Sequence, residues 1–188
     1  MPLKSMNPLD LIRLYYRPGS MAYEVLVRHC EAVAAAAVSV ARQVPDLASE
    51  ETFIHQAAML HDIGIFQVHA PEIGCFGKDP YVCHGWRGAR ILKQHGLPRH
   101  ARVCERHVGI GLTAGDIASQ GLPLPGRDMC PETMEEQIIC YADLFFSKMP
   151  PPEGTRRDAA GVIAALAPRG AQKVEQFVKW QKIFGSIP

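Results

Sequence analysis

At 188 residues the chain is long enough for one compact domain with a real core and too short for two comfortable ones. Lys and Arg together number 20 against 19 Asp and Glu, and no basic run stands out. That balance counts against a protein whose main business is the backbone of long nucleic acid and leaves short or monomeric phosphate substrates open.

Aromatics are few and alanine is plentiful, so helices are favoured. The six cysteines include no CxxC pair, and several fall within apolar helical patterns, as small buried thiols do. Met1-Pro2-Leu3-Lys4-Ser5 lacks a secretory apolar core, and no apolar run has the length of a bilayer span. A soluble, cytoplasmic protein with reduced thiols and no membrane partner is the expectation.

Pro8 to Tyr16 reads as a short helix capped by Asn7. Ser20 caps a long helix to about Arg42, on which Leu26, His29, Val33, Ala36 and Val40 share a face. The next helix starts near Ser49, with Ser49-x-x-Thr52 as an imperfect capping box, and runs to His61-Asp62. Gly64 is expected to turn the chain as a glycine just past a helix end does. His55, six residues before His61, faces elsewhere; His69 lies in a loop from Ile65 to Asp79 and is expected to be solvated.

Pro80 opens a helix through Lys93 with His84 inward, and Gly88-Ala89 permits close approach of a neighbour. A helix from Pro98 places Val103, Cys104 and His107 on one side, with His100 two turns earlier; Gly109 and Gly111 stop it. Thr113 to Gln120 is a short polar helix. Pro131-Glu132 begins a helix through about Lys148, on which Asp143 sits among Ile139, Cys140 and Phe146. Pro150-Pro151-Pro152 breaks the chain, and two helices, about Arg156–Ala167 and Ala171–Phe184, are packing elements. No strand pattern and no internal repeat stands out.

His29, His61, Asp62, His84, His107 and Asp143 therefore come from five helices or helix ends, and patterning turns them inward. One inward histidine is ordinary core filling. Four converging with two carboxylates would crowd the interior with unpaired polar groups unless something binds them. Divalent metal is the economical answer, and six N/O ligands without an obligatory thiolate suit Fe, Mn, Co, Ni or Zn.

That ordered set, His29 … His61-Asp62 … His84 … His107 … Asp143, resembles the HD-domain metal-dependent phosphohydrolases, in particular the HDIG subgroup, since Ile63-Gly64 completes the motif. Val25-x-x-x-His29-x-x-x-Val33, His84 to Leu92, Arg106 to Thr113 and Tyr141-Ala142-Asp143 are similar to one largely archaeal branch. The likeness covers about Tyr23 to Lys148. It implies an all-α, compact HD bundle, one domain over residues 1–188, with C-terminal helices (155–185) packed on it.

The resemblance further implies that His29, His61, Asp62 and Asp143 hold a first ion and that His84 and His107 serve a second, with Asp62 bridging. Such a pair of ions, about 3.5–4 Å apart, would clamp a phosphoryl group, with Asp62 and His61 as catalytic residues. The implied activity is hydrolysis of a small phosphoester such as a nucleotide, with one or two divalent ions per chain and no long nucleic acid as partner. The alternatives are a non-catalytic, metal-containing, nucleotide-binding regulatory module and a structural metalloprotein.

Two positions depart from the pattern. Many HDIG proteins carry a lysine after the glycine, where Ile65 stands here, and His107 is followed by Val108 rather than by a second histidine. Arg87, Arg106, Lys148 and His100 are the candidates for a substrate-phosphate contact.

Overall fold

A computed structural model describes residues 6–149 and 156–187; Met1 to Ser5 and the Pro150-Pro151-Pro152 break lie outside the described residues. Helices dominate, taking 64% of the described residues with the 3₁₀ turns included, so the fold is all-α as expected. They run α1 (Pro8–Arg13), α2 (Met21–Ala41), α3 (Glu51–Leu60), α4 (His84–Gln94), α5 (Pro98–Arg106), α6 (Ala114–Ser119), α7 (Met134–Asp143), α8 (Ala159–Leu166) and α9 (Ala171–Phe184).

The sequence expectations hold at several helix starts for the reasons anticipated. The side chains of Asn7, Ser20 and Thr113 accept the backbone N–H of Leu9, Tyr23 and Asp116, and Asp116 completes a capping box at Thr113. At α3 the expectation fails. A 3₁₀ turn over Pro45–Glu50 precedes the helix, and no side chain caps it, so Ser49 is not its start. The loop from Ile65 to Asp79 also contains a small antiparallel ladder, β1 (His69–Ala70) with β2 (Cys75–Phe76), too short for an alternating pattern to announce it.

Helix α2 is the spine. It packs along α3 and α7 and sets Leu26, Cys30, Val33, Ala37 and Val40 in the core. Helices α4 and α5 form a tight antiparallel pair, and α5 leans on both α3 and α7. The α4–α5 approach depends on glycine: a Cβ at Gly88 would lie 2.5 Å from Cys104 Sγ, and one at Gly85 would lie 2.5 Å from the Cys104 carbonyl oxygen. The C-terminal helices close against α7. The Tyr141 hydroxyl donates to the Gly185 carbonyl at 2.7 Å, Trp180 Nε1 donates to Gln137 Oε1 at 3.1 Å, and Phe177 stacks on Tyr141. Among the described residues no helix is long and apolar enough to cross a membrane.

Gly64 works differently from the expectation. Its φ is −86°, ordinary right-handed backbone, so no left-handed turn requires glycine there. Space does. A Cβ would sit 2.2 Å from the His84 carbonyl oxygen and 2.4 Å from the Gly88 amide nitrogen, both backbone atoms of α4 that have nowhere to move. The missing side chain lets the turn after His61-Asp62 lie directly against the helix that carries His84.

Gly64→Ala should therefore cost about 3 kcal/mol of stability in denaturant unfolding, the upper range for overpacking. Gly126→Ala, where a Cβ meets nothing within 4 Å, should change stability by less than about 0.5 kcal/mol. Equal effects at the two positions would show that the contact with α4 does not constrain the turn.

Candidate metal centre

The His-Asp pair lies just beyond α3, in a run of tight turns. Ile63 N donates to the Leu60 carbonyl and Ile65 N to the Asp62 carbonyl, which swings His61 and Asp62 into the space between α2, α4 and α5. Tyr16 holds that turn from outside: its hydroxyl donates to the Ile63 carbonyl at 2.8 Å and accepts from Phe66 N at 3.1 Å. His29 arrives from the buried face of α2, His84 from the first position of α4, His107 from the residue after α5 and Asp143 from the end of α7. Gly109 and Gly111, at φ +64° and +84°, end the chain direction of α5 just past His107, as expected.

All six side chains meet, in two groups that share Asp62: His29, His61, Asp62 and Asp143, and Asp62, His84 and His107. In the first, Asp62 Oδ2 lies 3.2 Å from His29 Nε2 and 3.1 Å from His61 Nε2, and Asp143 Oδ1 lies 2.9 and 3.4 Å from the same two nitrogens. In the second, Asp62 Oδ1 lies 3.2 Å from His84 Nε2 and 3.3 Å from His107 Nε2. The carboxylate thus divides its two oxygens between the groups.

The histidine tautomers follow from the backbone. His61, His84 and His107 each bring Nδ1 within 2.6–2.8 Å of the carbonyl three residues earlier, on Ala58, Tyr81 and Cys104. A carbonyl only accepts, so each Nδ1 carries a proton and each ring turns Nε2 inward, the atom a metal ion would take. His84 Nε2 and His107 Nε2 are 3.0 Å apart, and His29 Nε2 and His61 Nε2 are 3.3 Å apart. Two bare Nε2 lone pairs facing each other would repel at that distance. Two imidazoles bound to one ion at the usual metal–nitrogen length stand about 3 Å apart, so both groups can hold a metal ion. Asp62 Oδ1 and Asp143 Oδ1, buried carboxylate oxygens that face only imidazole nitrogens, fit the same description.

Electrostatics divide: burial would lower the His61 imidazole, yet Asp62, Cys30 and Asp143 beside it hold it well above its usual range. Burial alone would raise the Asp62 carboxyl, yet His61 and Lys148 beside it hold it well below the usual carboxylate range. Burial pushes His107 down to about 4, which keeps the ring neutral as a ligand must be. Lys148 is the cation at this centre. Helix α7 ends at Asp143, not near Lys148 as the pattern suggested. The chain turns through Leu144 and Phe145 and brings Lys148 Nζ back to 2.6 Å from Asp62 Oδ2.

The other three proposed phosphate contacts lie elsewhere. Arg87 pairs with Asp79 at 2.6 Å, Arg106 pairs with Glu132 and Glu136, and His100 is buried edge-on against Phe53. His55 and His69 are exposed, as expected. Cys104 and Cys140 are not ligands: their thiols donate to the carbonyls of His61 and of His107 and Gly109.

A cavity of about 420 Å³ opens from the cluster and is walled by Tyr81, Val108, Phe146, Lys148, Arg157 and Arg169. Arg157 and Arg169 are exposed cations. No motif marks them, because they reach the cavity from helix ends far along the chain.

Comparison with known proteins gives the family and corrects the activity. The HD domain model matches residues 26–146. A tRNA (cytidine(56)-2'-O)-methyltransferase of Picrophilus torridus is 32% identical over 127 residues, 67% of this chain and 33% of that protein. The enzyme of the same name from Thermoplasma volcanium is 31% identical over 140 residues, 74% of this chain and 35% of its own length. An uncharacterized protein of Methanocaldococcus jannaschii is 32% identical over 127 residues, 66% of this chain and 68% of that protein. No solved structure matches.

The chain thus spans about a third of the length of the two methyltransferases it matches. Their name overturns two expectations: it describes methyl transfer and not phosphohydrolysis of a small phosphoester, and it brings in tRNA where no long nucleic acid was expected. The second expectation rested on net charge, which sums the whole surface, whereas contact with RNA depends on where unpaired cations gather. The matched region runs from the helix of His29 past the end of the helix of Asp143 and encloses all six side chains of the cluster, and the chain belongs to the HD domain family.

Proposed function

We propose that the chain is an RNA-directed HD enzyme module that carries out metal-assisted chemistry at an oxygen of a tRNA-class RNA. The observation that carries this reading is the division of Asp62: one oxygen faces His29 and His61, the other His84 and His107. In this reading His29, His61, Asp62 and Asp143 hold a first divalent ion, and His84, His107 and Asp62 hold a second. The N/O donor set suits Fe, Mn, Co, Ni or Zn. Ions held there supply Lewis acidity to an oxygen of the bound RNA.

The chain's own groups do the rest. His61 and Asp62, at the junction of both groups, are the catalytic pair of the reading. Lys148 takes the place of the lysine that Ile65 does not provide; its ammonium faces the same oxygen of Asp62 as the first group. Arg157 and Arg169, exposed at the cavity, meet backbone phosphates and fix the register of the RNA without reading its sequence.

RNA as partner is supported by the relatives named for acting on tRNA. The HD region is about a third of those proteins but most of the Methanocaldococcus jannaschii relative. That distribution favours a module with work of its own, so the reading carries over the RNA and not the methyl transfer. It also takes residues 1–188 as one unit, with α8 and α9 part of the ligand site.

Elemental analysis of metal-loaded protein should find about two equivalents per chain. Asp62→Asn should lose most of both at near-normal helicity, because a neutral amide is a poorer ligand for a hard cation. Metal content untouched in this variant would remove the reading.

The double variant His84→Ala/His107→Ala should stay folded and retain about one equivalent. Two equivalents retained would reassign both histidines.

Metal-loaded protein should bind tRNA with a salt-dependent affinity that falls about tenfold in Arg157→Ala/Arg169→Ala, as loss of two phosphate contacts predicts. Affinity that ignores salt and both arginines would remove RNA from the reading.

A further inference from the structure

A second cavity, about 590 Å³, adjoins the one over the metal cluster. The two share Val82, Val108, Gly109 and Arg169 as lining. Arg169 stands at this partition: a Cβ at Gly109 would lie 3.1 Å from its Nη1, so the guanidinium rests over a residue that offers no side chain. Among the described residues it has no ion-pair partner. Beyond the partition the second cavity is aliphatic, with Ile110 and Leu112 after α5, Leu122 after α6 and Leu166 at the end of α8.

The polar groups of this cavity are few and sort into used and unused. Lys173 Nζ donates to the Gly111 carbonyl at 2.8 Å and pairs with Asp116 Oδ2 at 2.7 Å, so both charges are spent on closing the wall. Gln120 is exposed, and its amide carries both donors and an acceptor. An aliphatic slot of this size, with one amide and one guanidinium, suits a flat heterocycle with polar edges. It does not suit a second phosphate, for which a single cation at the rim is poor provision. Leu166, Arg169 and Lys173 lie beyond the HD match, which ends at residue 146, so this wall belongs to the C-terminal part of the chain.

We propose that the second cavity is a base subsite: it takes one unstacked base of the RNA whose neighbouring phosphate lies at the metal cluster, with Arg169 holding the backbone where it crosses from one cavity to the other. This rests on the RNA-directed reading above. Single-stranded RNA is read in this manner, by bases splayed into pockets beside a cationic track. The aliphatic walls grip the faces of the base and Gln120 meets its edge.

The test uses metal-loaded full chain and three probes: a short single-stranded oligoribonucleotide, the same backbone carrying abasic ribose, and inorganic phosphate. The based oligomer should bind about tenfold or more tighter than the abasic one, the scale of one base contact. Leu122→Trp fills the slot without touching the metal cluster, and should erase that difference while leaving the affinity for the abasic oligomer and for phosphate unchanged. Gln120→Ala, at an exposed position, should weaken the based oligomer alone and guards against a folding defect in the tryptophan variant. Equal binding of based and abasic oligomers by the unsubstituted chain, or a base advantage that survives Leu122→Trp, would overturn the subsite. A base advantage lost in Leu122→Trp, together with no binding of inorganic phosphate, would support the subsite and overturn the metal-cluster reading alone.

Discussion

Asp62 is a carboxylate with no exposed surface, and its two oxygens face imidazole nitrogens on both sides, with one ammonium at Oδ2. Placing a bare charge there would cost several kcal/mol, so the protein must surround it with compensating groups. Much of the architecture reads as that surround. Four imidazoles turn Nε2 toward the same space, an ammonium reaches Asp62 Oδ2, and Tyr16 pins the turn that aims the carboxylate. On the side of α2, α3, α4 and α5 the cluster is walled by packed helices, and the cavity lined by His84, His107 and Asp143 is its opening. Cations settle the cluster. The protein spends stability on a charge in its centre, and the return is a site already shaped for ions.

The backbone fixes that shape to a degree the side chains alone would not. Three of the four histidines donate Nδ1 to the carbonyl three residues earlier, so each ring is oriented by its own helix end. Cys104 and Cys140 add weaker donors to the carbonyls of His61, His107 and Gly109. These contacts choose tautomer and ring plane before any ligand arrives, the role that outer partners play around metal-binding histidines.

Periodicity made much of this legible in advance, and its failures have physical causes. Inward faces are set by local spacing, so His29, His84, His107 and Asp143 could be placed from the pattern of apolar neighbours. Gly64 was misread because a glycine after a helix suggests a left-handed turn, whereas its need arises from α4, a partner 20 residues further along. The cation was undecided for a related reason. Lys148, Arg87 and Arg106 look alike in sequence; what separates them is that Asp79 takes Arg87 and that Glu132 and Glu136 take Arg106. Lys148 is left for Asp62, and only because α7 stops at Asp143 and lets the chain fold back. Arg157 and Arg169 carry no local signal at all. Nor did a near-zero net charge reveal cations gathered at one cavity, since charge balance over a whole surface says nothing about where the unpaired charges sit.

The two halves of the site have different origins in the chain. The six side chains that can hold ions fall within residues 26–146, the span of the HD match. The cations that frame the approach, Lys148, Arg157 and Arg169, lie after it, together with Leu166 of the aliphatic wall. An ion cluster demands donors placed to within a few tenths of an ångström, which only a rigid helical frame supplies; a cavity wall tolerates looser placement. Helix α9 meets the frame through its Phe177 and Trp180, which reach Tyr141 and Gln137 on α7, away from the ligand atoms. The wall can therefore change its lining without moving the ions. A family whose relatives include tRNA-directed enzymes is what such a division permits: one buried arrangement of histidine and aspartate, with the choice of what reaches it left to the segments outside.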